Sequence, residues 1–88
     1  MWYVYVILTY KKKLYTGIST DPERRFLEHL CDPKKGAKYF RSDSPQRIVY
    51  LEEWDSRSEA LVREAEFKKW PSSKKRSIFL REYFCDEL

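Results

Sequence analysis

The strongest constraint on the fold is a continuous run of aromatic and β-branched residues at the start of the chain. Residues 2–8 read WYVYVIL and include no charged side chain. Such residues favour strands, and an apolar run without alternation is typical of a strand buried on both faces. The run is about a third of a membrane-spanning helix, and it lacks the basic segment and cleavage site of a signal peptide. We therefore expect a packed domain and no membrane association.

A second strand is predicted directly after the first. Residues 14–19 follow a turn of three lysines and again combine apolar and β-branched side chains. Because side chains alternate along a strand, Tyr5 and Ile7 share one face of the first strand. Tyr15 and Gly17 likewise share one face of the second.

The first helix is predicted to begin at Pro22. Asp21 is a good N-cap residue, and proline fits the first helical position because its missing N–H has no intrahelical partner there. The helix is expected to end at Asp32, since the residue before Pro33 disfavours helical geometry. Its predicted buried stripe consists of Phe26, Leu27 and Leu30.

The middle of the chain predicts a short helical turn over residues 36–42 and a third strand over residues 46–54. Ser56 and Glu59 then match a capping box, which predicts a helix to about Trp70.

Pro71 ends that helix, and Ser72 or Ser73 is expected to cap a last one. The apolar residues of the last helix are Ile78, Phe79, Tyr83 and Phe84. The resulting order, ββα(α)βαα, predicts an α/β chain of the α+β type, with a small three-stranded antiparallel sheet flanked by helices. We expect a single domain over residues 1–88.

Composition excludes several classes of protein. In 88 residues, 42% are hydrophobic and 17% aromatic, which is too apolar for a disordered chain. Cys31 and Cys85 are the only cysteines and form no CxxC pair, so neither a disulfide framework nor a zinc site is expected. Cysteine usage of this kind favours the cytoplasm.

The formal net charge is +4, and its distribution is more informative than its size. Two runs, residues 34–41 and 68–76, are basic and contain no acid, whereas acids cluster elsewhere. Segregated charge favours a nucleic-acid-binding face, although a solvated surface explains the same pattern. The predicted nucleic-acid-binding residues are Lys34, Lys35, Lys38, Arg41, Lys68, Lys69, Lys74, Lys75 and Arg76.

Residues suited to phosphodiester chemistry occur outside those runs. Arg25 and His29 are four residues apart and share one helix face, and Glu64 lies close to the apolar stripe of its own helix. A carboxylate can hold a divalent cation, an arginine can neutralise charge on a phosphate, and tyrosine or histidine can move a proton.

Structural explanations are also open for these residues. Glu64 is placed to pair with Lys68 one turn later, and Arg25 is placed to pair with Asp21. His29 near a helix end is explained by the helix dipole, and the strand tyrosines by cross-strand packing.

Two tripeptides complete the pattern. Residues 3–5 (YVY) and 15–17 (YTG) are joined by a short strand–turn–strand segment, and Arg25 follows eight residues after Gly17. With His29 and Glu64 in order, the chain resembles the GIY-YIG nuclease superfamily to about residue 78. Residues 15–25 and 36–39 look like its compact, single-domain bacterial branch, which is related to repair and structure-specific endonucleases.

The resemblance implies a metal-dependent endonuclease that hydrolyses phosphodiester bonds in DNA, in repair, recombination or DNA processing. The implied catalytic residues are Tyr5, Tyr15, Arg25, His29 and Glu64. Glu64 would hold one Mg²⁺ or Mn²⁺ ion, and Arg25 would bind the scissile phosphate. The sequence leaves open whether Tyr5, Tyr15 or His29 is the general base.

The departure from the family pattern at Tyr3 concerns packing more than chemistry, and no residue after Glu64 clearly matches the asparagine that some members of the family carry. Tyr3 and Val4 replace the glycine and isoleucine of the first tripeptide, and Thr16 replaces the isoleucine of the second. Arg24 is the counterpart of the family's arginine if the alignment slips by one residue. The alternative function is a nucleic-acid- or protein-binding module on the same scaffold. A protein partner for targeting is compatible with both, and the oligomeric state is left open.

Overall fold

The central element of the fold is the first strand. A computed structural model of the chain describes residues 1–32 and 34–80. Its three strands are β1 (Trp2–Thr9), β2 (Leu14–Ser19) and β3 (Pro45–Trp54), all antiparallel, in the order β2-β1-β3. The strand predicted to be buried on both faces is thus the middle strand, and its residues 4–9 are all buried.

The two faces of β1 belong to different packing layers. Val4 and Val6 contact one apolar cluster, whereas Tyr5 and Ile7 contact another. The pairing of β1 with β2 is regular and sets Tyr5 opposite Gly17. The pairing with β3 contains two register shifts, after Val6 and after Leu8 on β1.

The first helix, α1 (Pro22–Cys31), begins as predicted but buries a different face. The Asp21 side chain accepts a hydrogen bond from the Arg24 N–H. Pro22 and His29 are the buried residues, while Leu27 and Leu30 are 56% and 47% exposed, so the predicted stripe is wrong at both leucines. Of the three predicted stripe residues, only Phe26 packs against the Tyr5 cluster. The side chain that α1 buries toward the sheet in place of the two leucines is the imidazole of His29.

The second half matches the predicted order. A 3-10 turn spans Lys38–Arg41, and α2 spans Arg57–Lys69, with the Ser56 side chain accepting from the Glu59 N–H. The three-stranded sheet with its helices confirms the α+β fold class.

The last helix, α3 (Ser72–Phe79), differs from prediction at its start. Pro71 is the N-cap residue, and no side chain among the described residues caps the helix. The prediction of a cap by Ser72 or Ser73 is wrong, because both serines already have helical geometry. Phe79 is buried and Ile78 is 44% exposed. Tyr83 and Phe84, also predicted to be apolar residues of this helix, lie outside the described residues.

Helices α2 and α3 cover the Val4 face of the sheet. Ala60, Phe67 and Phe79 form the buried cluster with Val4 and Val6. The rings of Phe67 and Phe79 pack edge to face, with centroids 5.2 Å apart and planes inclined by 72°. In the part of the chain that the structure describes, no helix has the length and apolar character needed to span a membrane.

Candidate active site

Tyr5 and Gly17 form the base of the candidate site. They pair across β1 and β2, and the Tyr5 phenol lies directly over the glycine. A Cβ atom at Gly17 would lie 2.6 Å from Tyr5 Cζ, closer than real contacts allow. Gly17 is therefore required to let the Tyr5 hydroxyl cross β2, which explains why a glycine stands in the middle of this strand.

His29 holds the Tyr5 hydroxyl from α1. Its Nε2 lies 3.1 Å from Tyr5 Oη, and its Nδ1 accepts a hydrogen bond of 3.0 Å from the Ala37 N–H. Because Nδ1 is an acceptor, the proton of the neutral ring lies on Nε2, and Nε2–H donates to Tyr5. Burial and the charge of Arg25 lower the pKa of His29 to about 4, so the ring is neutral at pH 7.

Arg25 reaches the same hydroxyl from one turn earlier on α1. Its Nη1 donates to Glu28 Oε1 at 3.0 Å and to the Lys35 carbonyl. Burial raises the pKa of the Tyr5 hydroxyl, while the guanidinium of Arg25 lies close enough to oppose that shift.

The neighbouring arginine is placed differently. The Arg24 side chain is 62% exposed, against 30% for Arg25, and pairs with Asp21 and Glu28 at 3.9 and 3.6 Å. The expected pairing of Arg25 with Asp21 is wrong, because Asp21 faces Arg24 and Arg25 turns toward the sheet. The structure thus brings Arg25, and not Arg24, to the strand tyrosines.

Tyr15 lies within a cluster of rings beside Tyr5. Its centroid is 5.5 Å from those of His29 and Tyr39, 4.7 Å from that of Phe40 and 6.4 Å from that of Tyr5. Burial raises the pKa of the Tyr15 hydroxyl, Arg25 opposes the shift and Glu64 adds to it. Tyr15 is therefore a neutral phenol at pH 7.

Glu64 approaches from α2, the helix on the other face of the sheet. Its side chain is 18% exposed, and Oε2 lies 3.5 Å from Nζ of Lys68, so the predicted helix ion pair forms. Burial and nearer charges have the larger effects on the pKa values of Tyr5 and Tyr15. The negative charge of Glu64 further raises both pKa values. The carboxylate is therefore in electrostatic range of both hydroxyls while pairing with an exposed lysine.

The donor set fits one weakly protein-ligated cation. Within residues 1–32 and 34–80 there is no group of three or more histidine, cysteine, aspartate or glutamate side chains that could enclose a metal ion. Mg²⁺ commonly keeps several waters and takes only one or two protein carboxylates together with substrate phosphates. A single, mostly buried carboxylate such as Glu64 is compatible with that coordination.

Comparison with known proteins identifies the family of this chain. Residues 1–77 match the GIY-YIG catalytic domain. The chain belongs to the GIY-YIG family. The predicted resemblance to this family is thereby confirmed.

Relatives within the GIY-YIG family are similar over most of their length. A UPF0213 protein of Cupriavidus necator is 44% identical over 99% of this chain and 86% of its own. One from Haloquadratum walsbyi is 43% identical over 86% of this chain and 83% of its own. The solution NMR structure of a UPF0213 protein from Bacillus halodurans superposes with a TM-score of 0.54, at 37% identity, covering 89% of this chain and 82% of that one.

The basic residues predicted to bind nucleic acid are dispersed around this GIY-YIG site. Lys34 and Lys35 follow α1, and Lys38 and Arg41 are the first and last residues of the 3-10 turn. Lys68 and Lys69 end α2, where Lys68 pairs with Glu64. On α3, Lys74 lies 4.2 Å from the Trp70 ring centroid, whereas Lys75 and Arg76 line a pocket beside Tyr39. Their binding role stays a prediction.

Three participants were not anticipated from the sequence. Glu28 binds Arg25, the Ala37 amide fixes the His29 tautomer, and Phe40 packs on Tyr15. The spacing of Glu28 from Arg25 on one helix was the only available signal. The other two depend on the turn after α1, where Gly36 packs against the His29 backbone, with a Cβ there only 2.9 Å from His29 Cα.

Proposed function

We propose that this GIY-YIG protein is a metal-dependent endonuclease that hydrolyses phosphodiester bonds in DNA. The observation that carries the proposal is the meeting of Arg25, from α1, with the Tyr5 hydroxyl, within electrostatic range of Glu64. The guanidinium of Arg25, the phenols of Tyr5 and Tyr15 and a carboxylate thus lie near one another. This set suits phosphoryl transfer, in which catalysis consists chiefly of positioning and charge stabilisation.

Arg25 is proposed to bind the scissile phosphate. Its Nη1 donates hydrogen bonds to Glu28 Oε1 and to the Lys35 carbonyl, and its guanidinium also contacts the Tyr5 hydroxyl. The planar group carries further N–H donors that can bind phosphate oxygens. Glu28 holds the guanidinium in place before substrate arrives and keeps its charge partly balanced.

Tyr5 is proposed to act as a neutral hydrogen-bond donor. Its hydroxyl accepts from His29 Nε2–H, so its own proton is directed away from the imidazole. His29 has no free lone pair in this arrangement, because Nδ1 is occupied by the Ala37 N–H. Among the three candidates for general base, His29 is therefore assigned a positioning role, and the two phenols orient the attacking water.

Glu64 is proposed to hold Mg²⁺ or Mn²⁺. When bound, such an ion supplies Lewis-acid stabilisation of the charge that develops on the phosphate oxygens. Binding of the ion would replace the contact of Glu64 with Lys68, and the lysine would then be available to the DNA backbone. We place the activity in the cytoplasm, in DNA repair, recombination or processing, with a protein partner for targeting.

One observation favours the alternative, a binding module without turnover. The Glu64–Lys68 ion pair gives the carboxylate a partner that has no catalytic role. In that case the basic residues would bind nucleic acid while Glu64 only stabilises α2.

Cleavage of a defined DNA panel tests the proposal. Single-stranded, duplex and branched DNA carrying an end label are incubated with the protein in Mg²⁺, in Mn²⁺ and in EDTA. We expect products with at least one substrate in a divalent metal and none in EDTA. Binding of the same DNA without cleavage in either metal would support the binding module and overturn the endonuclease.

A further inference from the structure

A basic pocket adjoins the candidate active site. It has a volume of about 310 Å³ and lies between the β1–β2 hairpin, the 3-10 turn and α3. Its lining residues are Lys13, Leu14, Tyr39, Ser72, Lys75 and Arg76. Three of these six side chains are cationic and none is acidic, so the pocket attracts an anion.

The pocket shares a wall with the site. The Tyr39 ring packs against Tyr15, with centroids 5.5 Å apart and planes inclined by 39°. Leu14, another wall residue, directly precedes Tyr15 on β2. A DNA strand whose scissile phosphate lies at Tyr5 and Tyr15 therefore has this pocket within reach of its next nucleotide.

Tyr39 is suited to stack on a nucleotide base. Its ring is held edge-on by Phe40, with centroids 5.4 Å apart and an interplanar angle of 81°, yet the residue is 39% exposed. Proteins that bind single-stranded DNA combine such exposed aromatic rings with cations that contact the backbone. In this pocket Lys13 and Lys75 provide the cations.

Arg76 holds the walls together. Its Nη2 donates a 2.6 Å hydrogen bond to the carbonyl of Lys12, which links α3 to the tip of the hairpin. Lys12 has a φ of 67°, the left-handed conformation, so the hairpin turns sharply there and presents Lys13 toward α3. The distance between the two lysine-bearing walls is thus fixed before a ligand binds.

A groove on another part of the molecule has the opposite charge. It has a volume of about 620 Å³, borders β3 and α2, and includes Glu52, Glu53, Glu59 and Glu66 around Arg63. A polyanion is repelled from that surface and attracted to the hairpin side. The charge distribution therefore directs a DNA strand along the side of the molecule that carries Tyr39.

We propose that the pocket binds an unpaired nucleotide next to the scissile phosphate, with its phosphate between Lys13 and Lys75 and its base stacked on Tyr39. A base inside a duplex is covered on both faces, so stacking on Tyr39 requires a nucleotide released from pairing. The substrate class is therefore DNA with single-stranded nucleotides at the cleavage point. This placement rests on the proposed endonuclease function, but binding in the pocket requires no cleavage.

Stacking is tested by binding in EDTA. Fluorescence anisotropy measures the affinity of wild type, Tyr39→Phe and Tyr39→Leu for labelled oligothymidylate, for a strand of the same length with tetrahydrofuran in place of every base, and for a duplex. We expect Tyr39→Leu to bind oligothymidylate at least about fivefold more weakly, and Tyr39→Phe within twofold of wild type. On the abasic strand and on the duplex, wild type and Tyr39→Leu should bind alike.

The abasic strand separates stacking from damage to the fold. If Tyr39→Leu disturbs Tyr15 and Phe40 generally, it weakens binding to all three ligands equally, and the proposal is overturned. Equal binding of oligothymidylate by wild type and Tyr39→Leu overturns it as well. Because no metal is present, a protein that cleaves nothing still gives these ratios, so failure of the endonuclease and failure of the pocket are distinguishable.

Phosphate contact is tested by salt dependence on single-stranded DNA. Lys13→Gln and Lys75→Gln should each reduce the slope of log affinity against log salt by about 0.7, the value for one phosphate contact on a single strand. Lys11→Gln is the matched control, since Lys11 is exposed on the same hairpin but does not line the pocket. An equal reduction in Lys11→Gln and Lys13→Gln would show diffuse attraction and overturn the phosphate assignment.

Discussion

The two faces of β1 differ in the groups that they bury. On one side Val4 and Val6 meet Ala60, Phe67 and Phe79, a cluster without a polar group. On the other side Tyr5 and Ile7 meet Phe40, and the Tyr5 hydroxyl bonds to the imidazole of His29. Burial raises the pKa of Tyr5 and lowers that of His29, so both polar groups are held in their neutral forms at pH 7. One strand thus supports stability on one side and a polar site on the other.

Glu64 gives the strongest test of the difference between the two faces. It lies on α2, the helix that covers the apolar face, but its proposed role is in the polar site. We expect Glu64→Gln to abolish metal-dependent cleavage, since the amide keeps the shape and loses the charge that a hard cation needs. Loss of the Lys68 pair should lower the free energy of unfolding by only a few tenths of a kcal/mol, about the contribution of an exposed helix pair. Paired cleavage assays and thermal melts measure both.

Glu66→Gln is the control for that experiment. Glu66 lies on the same helix and also forms an ion pair, with Arg63 at 2.8 Å. The Glu66→Gln variant should cleave DNA like wild type. Unchanged cleavage by Glu64→Gln would contradict the metal assignment, and a large loss of stability would assign Glu64 to the fold.

A change on the apolar face should act on stability. Phe67 is fully buried, and Phe67→Ala should lower the free energy of unfolding by about 3–5 kcal/mol through loss of packing and the cavity left behind. Urea denaturation measures this loss, with Val62→Ala as the control because Val62 is 61% exposed. A loss below about 1 kcal/mol would show that this face is not the stabilising one.

A change on the polar face should act on turnover. Arg25→Lys keeps the charge and loses the planar fork, so single-turnover cleavage should slow by a factor of about a hundred or more. Arg24→Lys, one residue earlier and exposed, should cleave nearly like wild type. The reverse pattern would move the phosphate contact to Arg24, and equal small effects would remove both arginines from the site.

The smallest expected effect is a pH dependence of stability from His29. Its pKa falls from an ordinary 6.5 to about 4 in the folded protein, under burial and the charge of Arg25, with Glu28 opposing. Between pH 6.5 and 4 the unfolded chain therefore binds a proton that the folded chain does not, so stability is lost as the pH falls through this window.

Thermal melts across that window measure the effect. His29→Gln retains a donor and an acceptor but does not titrate, so its Tm should fall less than that of wild type. We expect a difference of at least about 4 °C, which corresponds to 1 kcal/mol in a domain of this size. If the Tm of both proteins falls equally with pH, the pKa of His29 does not differ between the folded and unfolded chains, and the prediction is contradicted.

The order of elements was readable from the sequence because each signal was local. Asp21, Ser56 and Pro71 mark helix boundaries through their own backbone and side-chain chemistry, and the apolar run of β1 marks a middle strand. The buried face of α1 was not readable, because an apolar stripe predicts Leu27 and Leu30 where the structure buries His29. Hydrophobicity patterns cannot identify a histidine whose burial depends on a distant tyrosine.

Within the site, the residue types were predictable and their connections were not. Family resemblance indicated Tyr5 and Arg25, and the structure brings them together. The hydrogen bonds of Arg25 and His29 to the backbone depend on the turn after α1, which places the Lys35 carbonyl and the Ala37 amide. Backbone groups look the same in every sequence, so no pattern of side chains could have indicated them.

The alternation along β1 limits how the length of this chain can change. Pairing with β2 proceeds without a shift from Tyr3 to Leu8, so deleting one residue inside β1 would turn Tyr5 toward α2 and a valine toward His29. Packing and chemistry would fail together. At the hairpin tip, a gain or loss of residues leaves the alternation on both strands unchanged. Insertions and deletions among natural variants should therefore be absent from residues 3–8.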